Sequence, residues 1–273
     1  MFNKITLYSP QLGREVGLHI FRPDTDGPFP VLYLHEGGLY YNGGYPGRDG
    51  QSLNFCEYYA EHADTLPGVI IVGIEPPPNR RARTAELTPF TKDFETHGAD
   101  FDEHIDGRGR LLAEWIVNDL RNYINGSFPT ISDREHTAIG GFSSGALNAM
   151  YCAMTYPEVF GRLQMQSPAF NLWLDELREM ASHRDFSALL SWYISVGTED
   201  STRMTTAEQA LYAARRMYSV MLEHGLQPGR GTFEIVPGGR HEPEHWRKKF
   251  PEALCRTFCD MCGENTVQTA GTR

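Results

Sequence analysis

The sequence predicts an α/β domain with a mostly parallel central sheet, an antiparallel N-terminal hairpin and helices on both faces. Two observations carry this. Apolar runs of strand length at 31–35, 69–74, 136–139, 162–167, 191–196 and 232–236 alternate with helical segments, the arrangement that lays strands side by side in one direction. The runs at 4–8 and 14–21 are joined only by a turn around Gln11-Leu12-Gly13, so they pair as a hairpin.

The elements follow in order. Strand 31–35 leads into a long loop rich in Tyr and Gly and then a helix near 51–63. Strand 69–74 runs into Pro76-Pro77-Pro78, which lacks the N–H groups a sheet needs and stiffens an extended exit. From 79 to 108 the chain reads as irregular. Leu112, Trp115, Ile116, Leu120 and Tyr123 recur at helical spacing, so 109–124 is expected to be a helix covering one face of the sheet. At 273 residues without internal repeats, the chain is expected to form one domain over 1–262. The polar residues Gly263–Arg273 read as a disordered tail.

Chemistry enters at Gly141-Phe142-Ser143-Ser144-Gly145, which follows the strand-like His136-Thr137-Ala138-Ile139 and precedes a helix-like run from Ala146 to Tyr156. In that context G-x-S-x-G reads as a nucleophile elbow, a turn so sharp that only small residues fit beside the serine. Gly141, Gly145 and Ala146 meet the requirement, and Ser143 is the candidate nucleophile. Such a serine needs a base and a carboxylate, delivered by loops after later strands in the order acid, then histidine. The run Tyr193-Ile194-Ser195-Val196 ends in Gly197-Thr198-Glu199-Asp200; Asp200 is preferred because it lies further along the loop, with Glu199 as the alternative. The run Phe233-Glu234-Ile235-Val236 leads through Pro237-Gly238-Gly239-Arg240 to His241, which is preferred over His245 because it directly follows the turn.

Attack on a carbonyl also requires backbone donors where negative charge develops. Ser144, next to the nucleophile, is expected to give one. The loop His35-Glu36-Gly37-Gly38-Leu39 after Pro30-Val31-Leu32-Tyr33-Leu34 is expected to give the other, with Gly38 first and Leu39 in reserve.

These runs, with Val72-Gly73-Ile74-Glu75, Tyr156-Pro157-Glu158-Val159-Phe160-Gly161 and Ser167-Pro168-Ala169-Phe170, resemble the putative-esterase group of α/β hydrolases over about residues 5–258. That group holds esterase D (S-formylglutathione hydrolase), enterochelin esterases, and feruloyl and acetyl esterases. The resemblance implies the α/β-hydrolase fold and a serine carboxylic-ester hydrolase acting through an acyl-enzyme on a small or aromatic-containing ester. In the enterochelin-esterase-like branch the histidine tends to precede a tryptophan that opens the last helix, which favours His241 ahead of Trp246. The same residues would also serve an acyltransferase or peptidase, and a hydrolase-fold binding protein is the non-enzymatic alternative.

Composition narrows the partners. Lys+Arg 25 against Asp+Glu 35 gives a formal charge of −10, which disfavours nucleic acid and anionic membranes. Met1-Phe2-Asn3-Lys4-Ile5-Thr6 has no signal-peptide core, and five cysteines suit a reducing compartment, so a cytoplasmic location is expected. Cys255, Cys259 and Cys262 are spaced C-x3-C-x2-C, but the same spacing continues the face Trp246, Phe250, Leu254, Phe258, Met261 of one helix; they read as packing, as do Cys56 and Cys152. No metal and no cofactor are expected. No feature of the sequence supports a particular oligomer. For the substrate pocket, Arg80 and Arg81 in Asn79-Arg80-Arg81-Ala82-Arg83 offer guanidinium forks for an anion, unless these arginines pair with the acidic stretch Asp93–Asp106. That stretch, with His97 and His104, lacks metal-ligand spacing. Tyr40, Tyr41, Tyr45 and Trp173 are candidates to line a pocket for a flat group.

Overall fold

The computed structural model describes residues 1–37, 53–94 and 104–261. Its main sheet contains β1 (Phe2–Ser9), β2 (Arg14–Phe21), β3 (Val31–His35), β4 (Ile70–Ile74), β7 (Thr137–Phe142), β8 (Arg162–Gln166), β9 (Ser191–Glu199) and β10 (Gly231–Arg240). A separate two-residue pairing joins β5 (Lys92–Asp93) to β6 (His104–Ile105). The main sheet runs β1-β2-β4-β3-β7-β8-β9-β10. The hairpin β1–β2 is antiparallel and β2 meets β4 antiparallel; every later pairing is parallel. Chain order departs to one side of β3 through β4 and to the other through β7, so the gap between β3 and β7 is the topological switch point where open α/β sheets place their ligands.

The strands alternate their side chains between two cores, as a period of two requires. Val31, Tyr33, Ile70, Val72 and Ile139 face a core completed by α3 (Gly109–Trp115), α5 (Ser144–Thr155), α6 (Leu174–Ser182) and α7 (Ala207–Glu223). Leu32, Leu34, Ile71, Ala138 and Phe142 face the other, closed by α1 (Phe55–His62) and α8 (Pro243–Thr257). Helices therefore cover both faces.

Three local departures from the sequence expectation have physical causes. The segment after the three prolines is not irregular throughout: Arg80–Leu87 forms α2, capped by the Asn79 side chain, which accepts from the Ala82 amide. Its sequence shows little apolar periodicity because its buried end is held partly by charge, Glu86 pairing with Arg14. The helix expected over 109–124 runs to Ser127, through a π turn at Ile116–Leu120 between α3 and α4 (Arg121–Ser127). Finally, α8 stops at Thr257, so Cys259 lies on a short 3-10 turn and not on the helix face of Cys255; Cys262 lies outside the described residues. The stop coincides with the buried Arg162 guanidinium, which donates to Thr257 O at 2.8 Å and to both Asp260 carboxylate oxygens at 2.7 Å. No helix among the described residues is long and apolar enough to cross a membrane.

Candidate active site

Ser143 sits between β7 and α5 with φ 54° and ψ −124°, a backbone that a side-chain-bearing residue rarely adopts. The turn is possible because the residues two positions to either side, Gly141 and Gly145, lack side chains. A Cβ on Gly141 would lie 2.5 Å from the Gly145 carbonyl carbon, and one on Gly145 would lie 2.7 Å from His35 Cβ. Its own amide donates to Gln166 O of β8 at 3.2 Å, so the elbow is fixed to the adjacent strand end.

The acid and imidazole arrive on the next two strand ends. Asp200 directly follows β9 and is buried; Gly197 N donates to its Oδ2 at 3.3 Å. In β10 the pairing with β9 shifts register between Val236 and Arg240, and this irregularity delivers His241 just past the strand. His241 Nδ1 lies 2.6 Å from Asp200 Oδ1, and Nε2 lies 2.8 Å from Ser143 Oγ. The alternatives are engaged elsewhere. Glu199 pairs with Arg240 at the surface, and His245 Nδ1 accepts from the Arg240 amide.

Burial raises the Asp200 pKa, but hydrogen bonding and attraction from His241, with hydrogen bonds from Ser167 and the Gly197 amide, outweigh it and leave the carboxyl below its ordinary value. An ionised Asp200 favours the His241 tautomer with its proton on Nδ1, which leaves Nε2 as the acceptor facing Ser143.

The three side chains open onto a cleft of about 600 Å³ at the C-terminal ends of the strands. Ser144, Arg80 and Trp173 are among the residues that line it. Arg81 is exposed and is not among the lining residues; Arg83, one helical turn after Arg80 in α2, lines the wall. Gly38 and Tyr40, with Leu39, Tyr41, Tyr45 and His97, lie outside the described residues. The loop is described only as far as Gly37, which passes so close to β4 that a Cβ there would meet the Gly73 carbonyl carbon at 2.4 Å. This glycine is required for strand packing.

The contacts of three residues escaped the sequence reading. Glu36, buried and with φ 74°, pairs with Arg83. Ser167, with φ 49°, lines the cleft and accepts from Trp246 Nε1 at 2.9 Å. Trp246 itself sits against His241, ring centroids 5.2 Å apart at 82°. A serine beside Pro168 and a tryptophan in an apolar helix stripe carry no local signal of such roles; only their meeting in space does. Among the described residues no group of three or more metal-ligating side chains comes together.

A strand–serine–helix elbow at the switch point of a mostly parallel sheet, with an acid and a histidine on following strand ends, defines an α/β hydrolase. The chain belongs to the putative esterase family, which matches residues 9–257. The uncharacterized protein YbbA of Bacillus subtilis (strain 168) is 24% identical over 236 residues, 82% of this chain and 90% of that protein. The fold also matches the enterobactin esterase FES of Shigella flexneri, solved with 2,3-dihydroxy-N-benzoyl-glycine, with TM-score 0.71 and 16% identity. That match covers 95% of this chain, which spans only 60% of the Shigella chain. A ferulic acid esterase matches with TM-score 0.64 and 17% identity over 94% of this chain and 98% of its own.

Proposed function

We propose that this protein hydrolyses carboxylic esters through an acyl-enzyme on Ser143. The observation that carries the reading is the continuous chain Ser143 Oγ, His241, Asp200, with links of 2.8 and 2.6 Å, at the floor of an open cleft. As Ser143 Oγ bonds to the ester carbonyl carbon, its proton passes to His241 Nε2, and Asp200 stabilises the imidazolium. The carbonyl oxygen takes the negative charge and is held by backbone N–H groups. Ser144 opens α5, where a helix leaves its first amides without intrahelical acceptors, and Gly38 is assigned the second donor. Collapse expels the alcohol, which leaves with the proton from His241. Water then attacks the acyl carbon as the same imidazole takes its proton, and that proton passes to Ser143 Oγ as the acyl–oxygen bond breaks, releasing the acid. No step calls for a cofactor.

The substrate is a small or aromatic-containing ester. Trp173, Leu172, Pro168 and Met204 give the cleft apolar walls for a flat group, and Arg80 offers a charge at its margin. One structural relative is a ferulic acid esterase and the other, an enterobactin esterase, was solved with a dihydroxybenzoyl compound, which supports a substrate carrying an aromatic group here. The reading includes a small-molecule partner only, in the cytoplasm.

A fluorophosphonate probe tests the acyl-enzyme reading directly. Mass spectrometry is expected to place one adduct on Ser143, with labelling lost in His241→Ala. An adduct on another residue with Ser143 unmodified would overturn the assignment.

A further inference from the structure

We propose that Ser167 and Trp246 are a pair of positioning residues that holds His241 in register with Asp200 and Ser143. The inference rests on the triad reading above and extends it to two side chains that need not touch substrate.

The geometry is specific. Trp246 Nε1 donates to Ser167 Oγ at 2.9 Å, a bond buried between α8 and the loop after β8. The indole N–H can only donate, so Ser167 Oγ is the acceptor there and its own proton is free for another partner. That hydroxyl helps to keep the Asp200 carboxyl below its ordinary pKa. Asp200 itself is held by His241 Nδ1 at Oδ1 and by the Gly197 amide at Oδ2. A carboxylate so held cannot rotate without losing bonds, and its orientation sets that of the imidazole.

Trp246 also reaches the other two members. Its ring lies edge-to-face with His241 at 5.2 Å and stacks on Phe142, the residue before Ser143, at 5.0 Å. One buried side chain thus contacts the elbow strand, the imidazole and the Ser167 hydroxyl. The backbone of Ser167 argues the same way. Its amide donates to Ser195 O of β9 at 2.8 Å, and its φ of 49° is one that glycine would adopt without strain. Strain of this kind persists where a side chain is needed at the strained position. A bond that only fastened α8 to the sheet would require neither the left-handed serine nor the indole ring against His241.

The test uses p-nitrophenyl butyrate with wild type, Ser143→Ala, Ser167→Ala, Trp246→Phe and the Ser167→Ala/Trp246→Phe double variant. Thermal unfolding is measured for each. Trp246→Phe keeps an aromatic ring against Phe142 and His241 and removes only the N–H. Ser167→Ala is expected to lower kcat by about 10- to 100-fold and Trp246→Phe by about 10-fold, with KM within about twofold, because the groups are misaligned and not unbound. The double variant is expected to match Ser167→Ala, since both changes break one relay. Lower Tm with unchanged kcat, or losses that multiply in the double variant, would overturn the pairing while a dead Ser143→Ala left the triad reading intact. Full turnover in Ser143→Ala would overturn that reading, and the proposal with it.

Discussion

His241 Nε2 lies 2.8 Å from Ser143 Oγ, a contact between residues 98 positions apart in the chain. Nothing local brings them together. The contact exists because β7, β8, β9 and β10 lie parallel in that order, so successive strand ends open onto the same edge of the sheet. The elbow projects Ser143 up from β7, the register shift in β10 swings His241 back over the edge, and Asp200 at the end of β9 stands between their strands.

Asp200→Asn is expected to lower kcat on p-nitrophenyl butyrate by about 10³- to 10⁴-fold, because an amide at that position favours the wrong imidazole tautomer. Glu199→Gln is expected to leave kcat within about twofold, since exposed pairs such as Glu199 with Arg240 contribute little. A larger loss in Glu199→Gln would reverse the assignment of the acid.

The elbow has no room for a methyl group at Gly141, where a Cβ would stand 2.5 Å from backbone carbon of Gly145. Gly141→Ala is expected to destabilise the protein by about 1–3 kcal/mol in urea unfolding, with activity reduced in the folded fraction. Wild-type stability in this variant would mean that the elbow is wider than described.

Acid stability is expected to carry the signature of His35. Burial alone pushes its imidazole pKa down to about 3, whereas an unfolded histidine titrates near about 6.5. Between those values the unfolded chain binds a proton that the folded chain refuses, so this contribution is complete above about pH 6.5 and shrinks as pH falls, by roughly 1.4 kcal/mol per unit. His35→Asn removes the proton from the balance, and its stability is expected to fall less steeply between about pH 6 and pH 4. Equal slopes in the two proteins would contradict the account.

Much of this was legible before the structure because the relevant signals are local. The five residues around Ser143, the strand that precedes them and the glycines that permit the turn are contiguous, and the acid and histidine each follow a recognisable strand. What was illegible depends on distance or on charge. Helix α2 was hidden because its sequence, Arg80-Arg81-Ala82-Arg83-Thr84-Ala85-Glu86-Leu87, anchors partly through ion pairs to Arg14 and Glu36, and an apolar-periodicity reading cannot see such partners. Ser167 and Trp246 are 79 positions apart, and only the placement of α8 beneath the sheet edge makes them neighbours. Arg83, and not Arg81, reached the cleft wall because a helix presents every third or fourth residue to one side, a rule that could not be applied while the segment read as a loop.

Steady-state hydrolysis of p-nitrophenyl butyrate by Ser143→Ala, with folding verified by circular dichroism, bears most directly on the claim that this hydroxyl is the attacking group. The account predicts a drop in kcat of about 10³-fold or more, since the remaining groups cannot form the covalent intermediate. A folded Ser143→Ala protein that turned over the ester at the wild-type rate would contradict it.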